Sequence, residues 1–360
     1  MGLGKILIRA DASAEIGTGH VMRCLALAQA WQDGGGEATF VMARYTTSVR
    51  SRLINENCRV LSIDADPGSF CDASCTNRFI ESHTPDWVVL DGYRFDAEYE
   101  SALRNTGYHL ICVDDSGHLE HPRADLVLNQ NVTARENFRS RVRADQKMLS
   151  GTQFCLLRRE FLRWRAWRRE IPAVGSRILV SLGGSTPVAM GEKVMEAVDR
   201  IELPGLHAVF VIGGSTPDPA AMERVAAMSR GKISIRKDVS NMAMLMSESD
   251  VAVSAAGSTC WELCLLGLPS VLIDVAENQI PVAVELQRRQ CALYAGSAEE
   301  VSTEHLANTI AALLKSQDER RLLSQRCREL VDGHGAERVI AAMRLVQEER
   351  ALAASTGAHT

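Results

Sequence analysis

The chain has 360 residues, 46% hydrophobic and 24% charged, with a net charge of −5. That length allows two domains. The negative balance argues against a nucleic-acid polyanion as partner. No apolar run approaches the ~18 residues that a membrane helix needs, and Lys5, Arg9 and Asp11 interrupt any signal-peptide pattern at the start.

Apolar strand runs alternate with helical patterns along the chain. Strands are predicted at 5–9, 38–43, 59–63, 87–91 and 109–114, then at 177–182, 207–212, 233–236, 251–254 and 270–274. Helices are predicted at 21–32, 97–106, 187–200, 220–229 and 259–266. Continuous apolar strands separated by helices imply parallel sheets covered on both faces. The expectation is two doubly wound α/β domains, 1–165 and 175–335, with a cleft between them. A last helix at 336–350 packs back across the domains, and 351–360 forms a disordered tail. Ligands in such folds bind at the carboxyl ends of the strands. The Arg/Trp-rich stretch from Arg158 to Arg169 reads as a solvated amphipathic linker helix.

The first loop carries the strongest signal. Arg9 to Arg23 reads Arg-x-Asp-x-Ser-x-x-Ile-Gly-x-Gly-His-x-x-Arg, after one strand and into a helix. Gly17 and Gly19 let backbone approach a ligand, and His20 falls at the helix start. A helix N-terminus disfavours an imidazolium, so a neutral ring there can take up a proton. A histidine so placed is otherwise a cap or a surface residue. Further on, Gly183-Gly184-Ser185-Thr186-Pro187 recurs as Gly213-Gly214-Ser215-Thr216-Pro217. Both copies read as strand-to-helix turns, either aimed at the cleft or simply tight.

The segment from Ser254 to Glu262 places small residues, a glycine and two hydroxyls between a strand and a helix. Free N–H groups, the helix dipole and Ser258 and Thr259 would converge on a diphosphate there. Glu262 has two readings. It closes a capping box with Thr259, or it binds vicinal ribose hydroxyls. Tyr93, after the strand at 87–91, either reaches the cleft or packs on the next helix. Asn278 and Gln279 read, on the residues alone, as caps of the following helix.

Ten cysteines lie scattered in apolar segments, which reads as reduced thiol in a cytoplasmic protein. The Cys71/Cys75 and Cys260/Cys264 pairs lack partners at zinc-ribbon spacing. Asp64-Ala65-Asp66 runs into Pro67-Gly68 and reads as a turn rather than a metal motif. Gly17-Thr18-Gly19 lacks the third glycine of a dinucleotide fingerprint. No metal and no cofactor are expected.

The stretch from Ala256 to Pro269, continued through Ala276-Glu277-Asn278-Gln279, resembles the UDP-binding segment of GT-B enzymes. In particular it resembles the UDP-sugar hydrolase branch of pseudaminic acid biosynthesis, which supplies glycans such as those of flagellin. The Arg9–Arg23 pattern matches the same branch. So do Asp91-Gly92-Tyr93, Asp114-Asp115, Asn129-Gln130-Asn131 and Leu156-Leu157-Arg158-Arg159-Glu160-Phe161.

The resemblance implies two Rossmann-like domains of GT-B type. It also implies cleavage of a UDP-linked 2,4-diacetamido-2,4,6-trideoxy sugar of L-altrose configuration, with His20 as catalytic base. Substrate contacts would come from Asp11, Gly17, Gly19, Tyr93, Gly184, Ser185, Gly257, Ser258, Thr259, Glu262, Asn278 and Gln279, and from the Val239 backbone at uracil. The chain departs from the pattern at Thr186, where the branch has an acid, and at Glu277, where it has Asp. The alternatives are a glycosyltransferase using a UDP-amino sugar donor and a UDP-sugar-binding module without turnover. A pure binder needs no base, which counts against the module.

Overall fold

The computed structural model describes residues 2–103, 107–115, 120–121, 123–134, 146–184, 188–213, 216, 218–229, 231–237 and 239–357. Two parallel sheets organise them. The first takes β1 (Lys5–Ala10), β2 (Glu37–Met42), β3 (Arg59–Ser62), β4 (Trp87–Asp91), β5 (His109–Val113), β6 (Leu126–Asn129) and β7 (Lys147–Ser150) in the order β3-β2-β1-β4-β5-β6-β7. The second takes β8 (Arg177–Ser181), β9 (His207–Ile212), β10 (Ile233–Lys237), β11 (Val251–Ala255), β12 (Ser270–Asp274) and β13 (Leu293–Ser297) in the order β10-β9-β8-β11-β12-β13. The central strands β4, β11 and β12 are buried at every position, because helices cover both faces.

Each sheet reverses its strand order once, between β1 and β4 and between β8 and β11. A crevice opens at such a reversal, beyond the carboxyl ends of the strands. Ala10 pairs with Asp91 across the first reversal, and Ser181 with Ser254 across the second. The His20 loop, Tyr93, Gly184 and Ser258 therefore all leave the sheets at these two points.

Strands β6, β7 and β13 are absent from the reading of the sequence. β7 buries one side chain of four, and β13 carries Gly296 at φ +110° and a register shift against β12. None of the three shows a long apolar run. The Arg/Trp stretch also differs from expectation. Its only helix is Arg159–Leu162, and turns follow. The Phe161 side chain is buried in the core of the second sheet, and Trp164 and Trp167 pack against that core, so the stretch is not a solvated helix.

The last helix, Gly335–Gly357, returns to the first sheet. Ala336, Val339, Met343 and Val346 are buried in the same core as Val21, Leu25 and Trp31 of helix Gly19–Asp33. Its helical backbone runs past Ala351, where a disordered tail is expected, because Ala and Leu favour helix. Residues 358–360 lie outside the described set. No described helix is long and apolar enough to cross a membrane.

Candidate active site

His20 is the second residue of helix Gly19–Asp33 and is 7% exposed. Its Nδ1 lies 2.6 Å from Asp91 Oδ1, at the carboxyl end of the neighbouring strand. The carboxylate can only accept, so Nδ1 carries a hydrogen toward it, and Arg23 Nη2 lies 3.0 Å from the same nitrogen. Asp91 is fully buried and anchored from its other side. Arg23 donates to it through Nε and Nη2, both at 2.6 Å, and Cys24 Sγ donates at 3.2 Å. Arg23 Nη1 also pairs with Asp115, at the end of β5. Burial alone would raise the Asp91 carboxyl, but Arg23 and then His20 outweigh it and hold it well below the usual range. The result is a His20–Asp91 dyad on a rigid charged base.

Tyr93 is 47% exposed and stands edge-on to the His20 ring, with centroids 4.8 Å apart. Its hydroxyl accepts from Asn278 Nδ2 of the other domain at 2.9 Å. Asn278 does not cap the following helix, whose N-cap position is Gln279 with no side-chain cap bond. Gln279 Oε1 accepts from Val275 N at 3.1 Å, which orders the turn after β12.

The glycine loops of the two domains meet. A Cβ built on Gly19 would stand 3.3 Å from Ser258 Oγ. One built on Gly184 would stand 2.3 Å from Thr18 Oγ1, far inside contact distance. Gly17 adopts φ +78°, a conformation suited to glycine. Thr18 and Ser258 occupy the N-cap positions of helices Gly19–Asp33 and Thr259–Leu266, and neither makes a side-chain cap bond. Seven other helices are capped by Thr46, Ser69, Asp96, Asp218, Asn241, Ser302 and Ser316. The start of helix Gly19–Asp33 thus presents first-turn N–H groups beside the Ser258 hydroxyl, a ready anion site, while in helix Thr259–Leu266 Cys260 N and Trp261 N already donate to Gly257 O and Ser258 O at 3.0 and 3.2 Å. Ser185 and Thr186 lie outside the described residues.

Glu262 does not close a capping box. The N-cap is Ser258 rather than Thr259, and Glu262 Oε1 accepts from Arg158 Nη2 at 2.9 Å. Burial pushes the Glu262 carboxyl up, and Arg158 opposes it. Arg158 also pairs with Glu160 at 3.1 Å. Beside Val239, Ser240 O accepts from Arg52 Nη1 of the first domain at 2.8 Å. Asp11 is 5% exposed and faces the loop after β2: Ala43 N and Arg44 N donate to Oδ1 at 2.7 and 2.9 Å, and Arg9 reaches Oδ2 at 2.8 Å. It shapes the cleft rim from behind.

Reading the sequence assigns no role to Asp91, Arg23, Asp115 or Arg158. One signal was there. His20 and Arg23 are three residues apart on one helix face, and Asp91 ends an apolar strand that has no other use for a charge. Among the described residues, the one His/Cys/acid group placed so that it could hold a metal ion lies elsewhere, at Glu100, Cys112 and His121. His121 Nδ1 sits 2.5 Å from Glu100 Oε1, a hydrogen-bond distance, and Nε2 sits 3.4 Å from Asp114 Oδ2. That arrangement is an imidazolium between two carboxylates.

Comparison with known proteins agrees with this architecture. Residues 178–332 match the glycosyltransferase family 28 C-terminal domain. The chain is 25% identical over 346 residues to the spore coat polysaccharide biosynthesis protein SpsG of Bacillus subtilis, covering 95% of this chain and 98% of that one. It is 23% identical over 293 residues to the UDP-2,4-diacetamido-2,4,6-trideoxy-beta-L-altropyranose hydrolase of Campylobacter jejuni, covering 79% and 97%. Among solved structures, MurG of Acinetobacter baumannii superposes with a TM-score of 0.66 at 18% identity, covering 96% and 99%. The fold is GT-B, with two Rossmann-like α/β domains, and the chain is related to a UDP-sugar hydrolase and to glycosyltransferases.

Proposed function

We propose that this protein hydrolyses a UDP-linked 2,4-diacetamido-2,4,6-trideoxy sugar, of L-altrose configuration, to UDP and free sugar, as a cytoplasmic step in pseudaminic acid biosynthesis. The observation that carries this reading is the His20–Asp91 contact at 2.6 Å, which leaves Nε2 as a proton acceptor at the strand-order reversal of the first sheet. Water attacks the anomeric carbon and gives its proton to His20 Nε2. The carbon–oxygen bond to the diphosphate breaks, and UDP leaves with the electron pair. Asp91 stabilises the imidazolium that forms.

The uncapped helix end at Gly257, Ser258 and Thr259 holds the departing charge, with Gly17, Gly19, Gly184 and Ser185 allowing close approach. Glu262 takes the ribose, the Val239 backbone takes uracil, and Tyr93, Asn278, Gln279 and the rim shaped by Asp11 surround the sugar. Nothing in this sequence of steps requires a metal or cofactor. Transfer of the sugar to an acceptor is the second reading, favoured by the family 28 match over residues 178–332.

Turnover in heavy-oxygen water with excess chelator separates the possibilities. Label in the free sugar, without an acceptor, supports hydrolysis at carbon. Label in UDP means attack at phosphorus and removes His20 from the mechanism. UDP release that needs an acceptor identifies a transferase.

A further inference from the structure

On the back of the second domain, away from the cleft, lies a cavity of about 510 Å³. Ligand pockets commonly fall in the range of roughly 300–1,000 Å³. Its walls bring together Arg165, Arg168, Arg169, Arg321 and Arg328. They come from the Arg/Trp stretch and from helix Gln317–Leu330. The lining carboxylates are Glu329 and Asp332, and both are engaged by cations outside the cavity lining. Asp332 holds Arg338 through two contacts at 2.9 and 2.5 Å, and Glu329 holds Arg326 at 3.1 Å.

Arg165 pairs with Glu337 at 2.7 Å and also donates to Gly333 O, whereas Arg169 and Arg328 face main-chain carbonyls. Arg169 Nη2 donates to Met246 O at 2.7 Å, and Arg328 donates to Leu265 O and Arg165 O at 2.8 and 2.6 Å. Burial and then the neighbouring Arg168 charge lower Arg328, and burial, with Arg328 adding, brings Arg169 down to about 10 despite Asp250. The guanidiniums therefore repel one another. At the mouth, Arg168 is exposed and reaches only the carbonyls of Arg165 and Trp167, at 3.4 and 3.2 Å. Arg321 is exposed, 3.8 Å from an exposed Asp318.

We infer that this pocket is a second binding site, for a small multiply charged oxyanion bearing a diphosphate group. The cavity has the size for such a ligand. Guanidinium forks match phosphate oxygens two at a time, and an anion relieves the repulsion that the walls otherwise sustain. The site also has a route to the cleft. Helix Thr259–Leu266 starts beside Ser258 and carries Glu262, and its final carbonyls, Leu265 and Leu266, are held by Arg328 and Arg169.

Hydrogen exchange read by mass spectrometry on the full chain, with inorganic pyrophosphate and separately with UDP, tests the inference. Pyrophosphate should protect residues 163–171 and 321–332. The double variant Arg168→Ala/Arg321→Ala should lose that protection, with affinity falling on the order of tenfold for each charge-assisted contact removed. Both side chains are exposed, so an unchanged melting temperature verifies the fold. Arg168→Glu should weaken binding further than Arg168→Ala. UDP protecting the same segments assigns the pocket to a nucleotide, whereas pyrophosphate acting alone assigns it to free diphosphate. Protection confined to residues 17–23 and 257–262, or equal affinity in the double variant, overturns the inference.

Discussion

Asp91→Asn is the most discriminating perturbation of the proposed site, because it keeps the side-chain shape and removes the charge. The wild-type carboxylate accepts from His20 Nδ1 and twice from Arg23, all at 2.6 Å. An amide offers one acceptor oxygen and one donor nitrogen. Arg23 Nη2 and His20 Nδ1 share Oδ1, and Arg23 Nε takes Oδ2; with the amide oxygen at the Oδ2 position, the N–H faces His20 Nδ1 and selects the opposite tautomer, with hydrogen on Nε2. That ring cannot accept a proton from water, so turnover should fall by about 10²–10⁴, the usual contribution of a general base. Breaking a buried ion pair costs roughly 3–5 kcal/mol. Arg23 keeps Asp115, which puts the cost at the low end. For a domain of this size, 3 kcal/mol lowers the melting temperature by roughly 6–12 °C. The assay is UDP release from the diacetamido sugar nucleotide, with UDP affinity by calorimetry as the control for an intact cleft. Turnover within a few-fold of wild type, beside the expected drop in melting temperature, would refute the dyad and leave Asp91 as a purely structural anchor.

His20→Asn should lower turnover by about 10²–10⁴ while UDP affinity stays nearly constant; near-wild-type turnover excludes His20 as the base. Glu262→Ala should weaken UDP binding by about 1–3 kcal/mol, as expected for hydrogen bonds to a charged group. A lower melting temperature with unchanged UDP affinity would make Glu262 only the partner of Arg158. His121 lies between Glu100 and Asp114; burial opposes its charge, but hydrogen bonds to the two acids outweigh it and raise its pKa to about 9. A raised imidazole contributes its stability below the unfolded pKa and loses it as pH rises through the folded one. Unfolding free energy should therefore decline between about pH 6.5 and 9, by no more than about 3 kcal/mol, read as a falling melting temperature, and His121→Gln should flatten that decline.

Much of the architecture was legible because its signals are local. The strands at 87–91, 207–212 and 270–274 have their predicted bounds, since continuous apolar runs have few other uses. The short edge strand β7 and the glycine-bearing β13 were not legible, because pairing, not side-chain pattern, makes them strands. In the site, His20 and Ser258 stood out through glycine, hydroxyl and helix-start chemistry. Asp91 and Arg158 did not, because their partners lie 71 and 104 residues away in the chain. The Arg/Trp stretch was misread for a related reason. Arg169 faces the helix-end carbonyls of Met246 and Leu266, and Arg158, Arg159 and Arg165 pair with acids of distant segments, and no periodicity reveals that.

The places where local rules fail are informative in themselves. Thr18 and Ser258 are good capping residues at cap positions, and a missing cap costs about 1 kcal/mol. Seven other helices in the same chain are capped by side chains of the same chemical kind. Chain chemistry is therefore not what prevents capping at these two ends. Both ends sit at the strand-order reversals, one on each sheet, and a Cβ built on Gly19 would stand 3.3 Å from Ser258 Oγ. At the Thr18 end the first-turn N–H groups and the hydroxyl are left without a side-chain cap, and at the Ser258 end the hydroxyl is, since Cys260 N and Trp261 N donate to Gly257 O and Ser258 O. An anion with more than one charged group suits both ends at once, and the His20–Asp91 dyad lies on the first turn of one of them. The stability forgone at the two caps and the proton acceptor beside them thus point to the same small volume of the cleft.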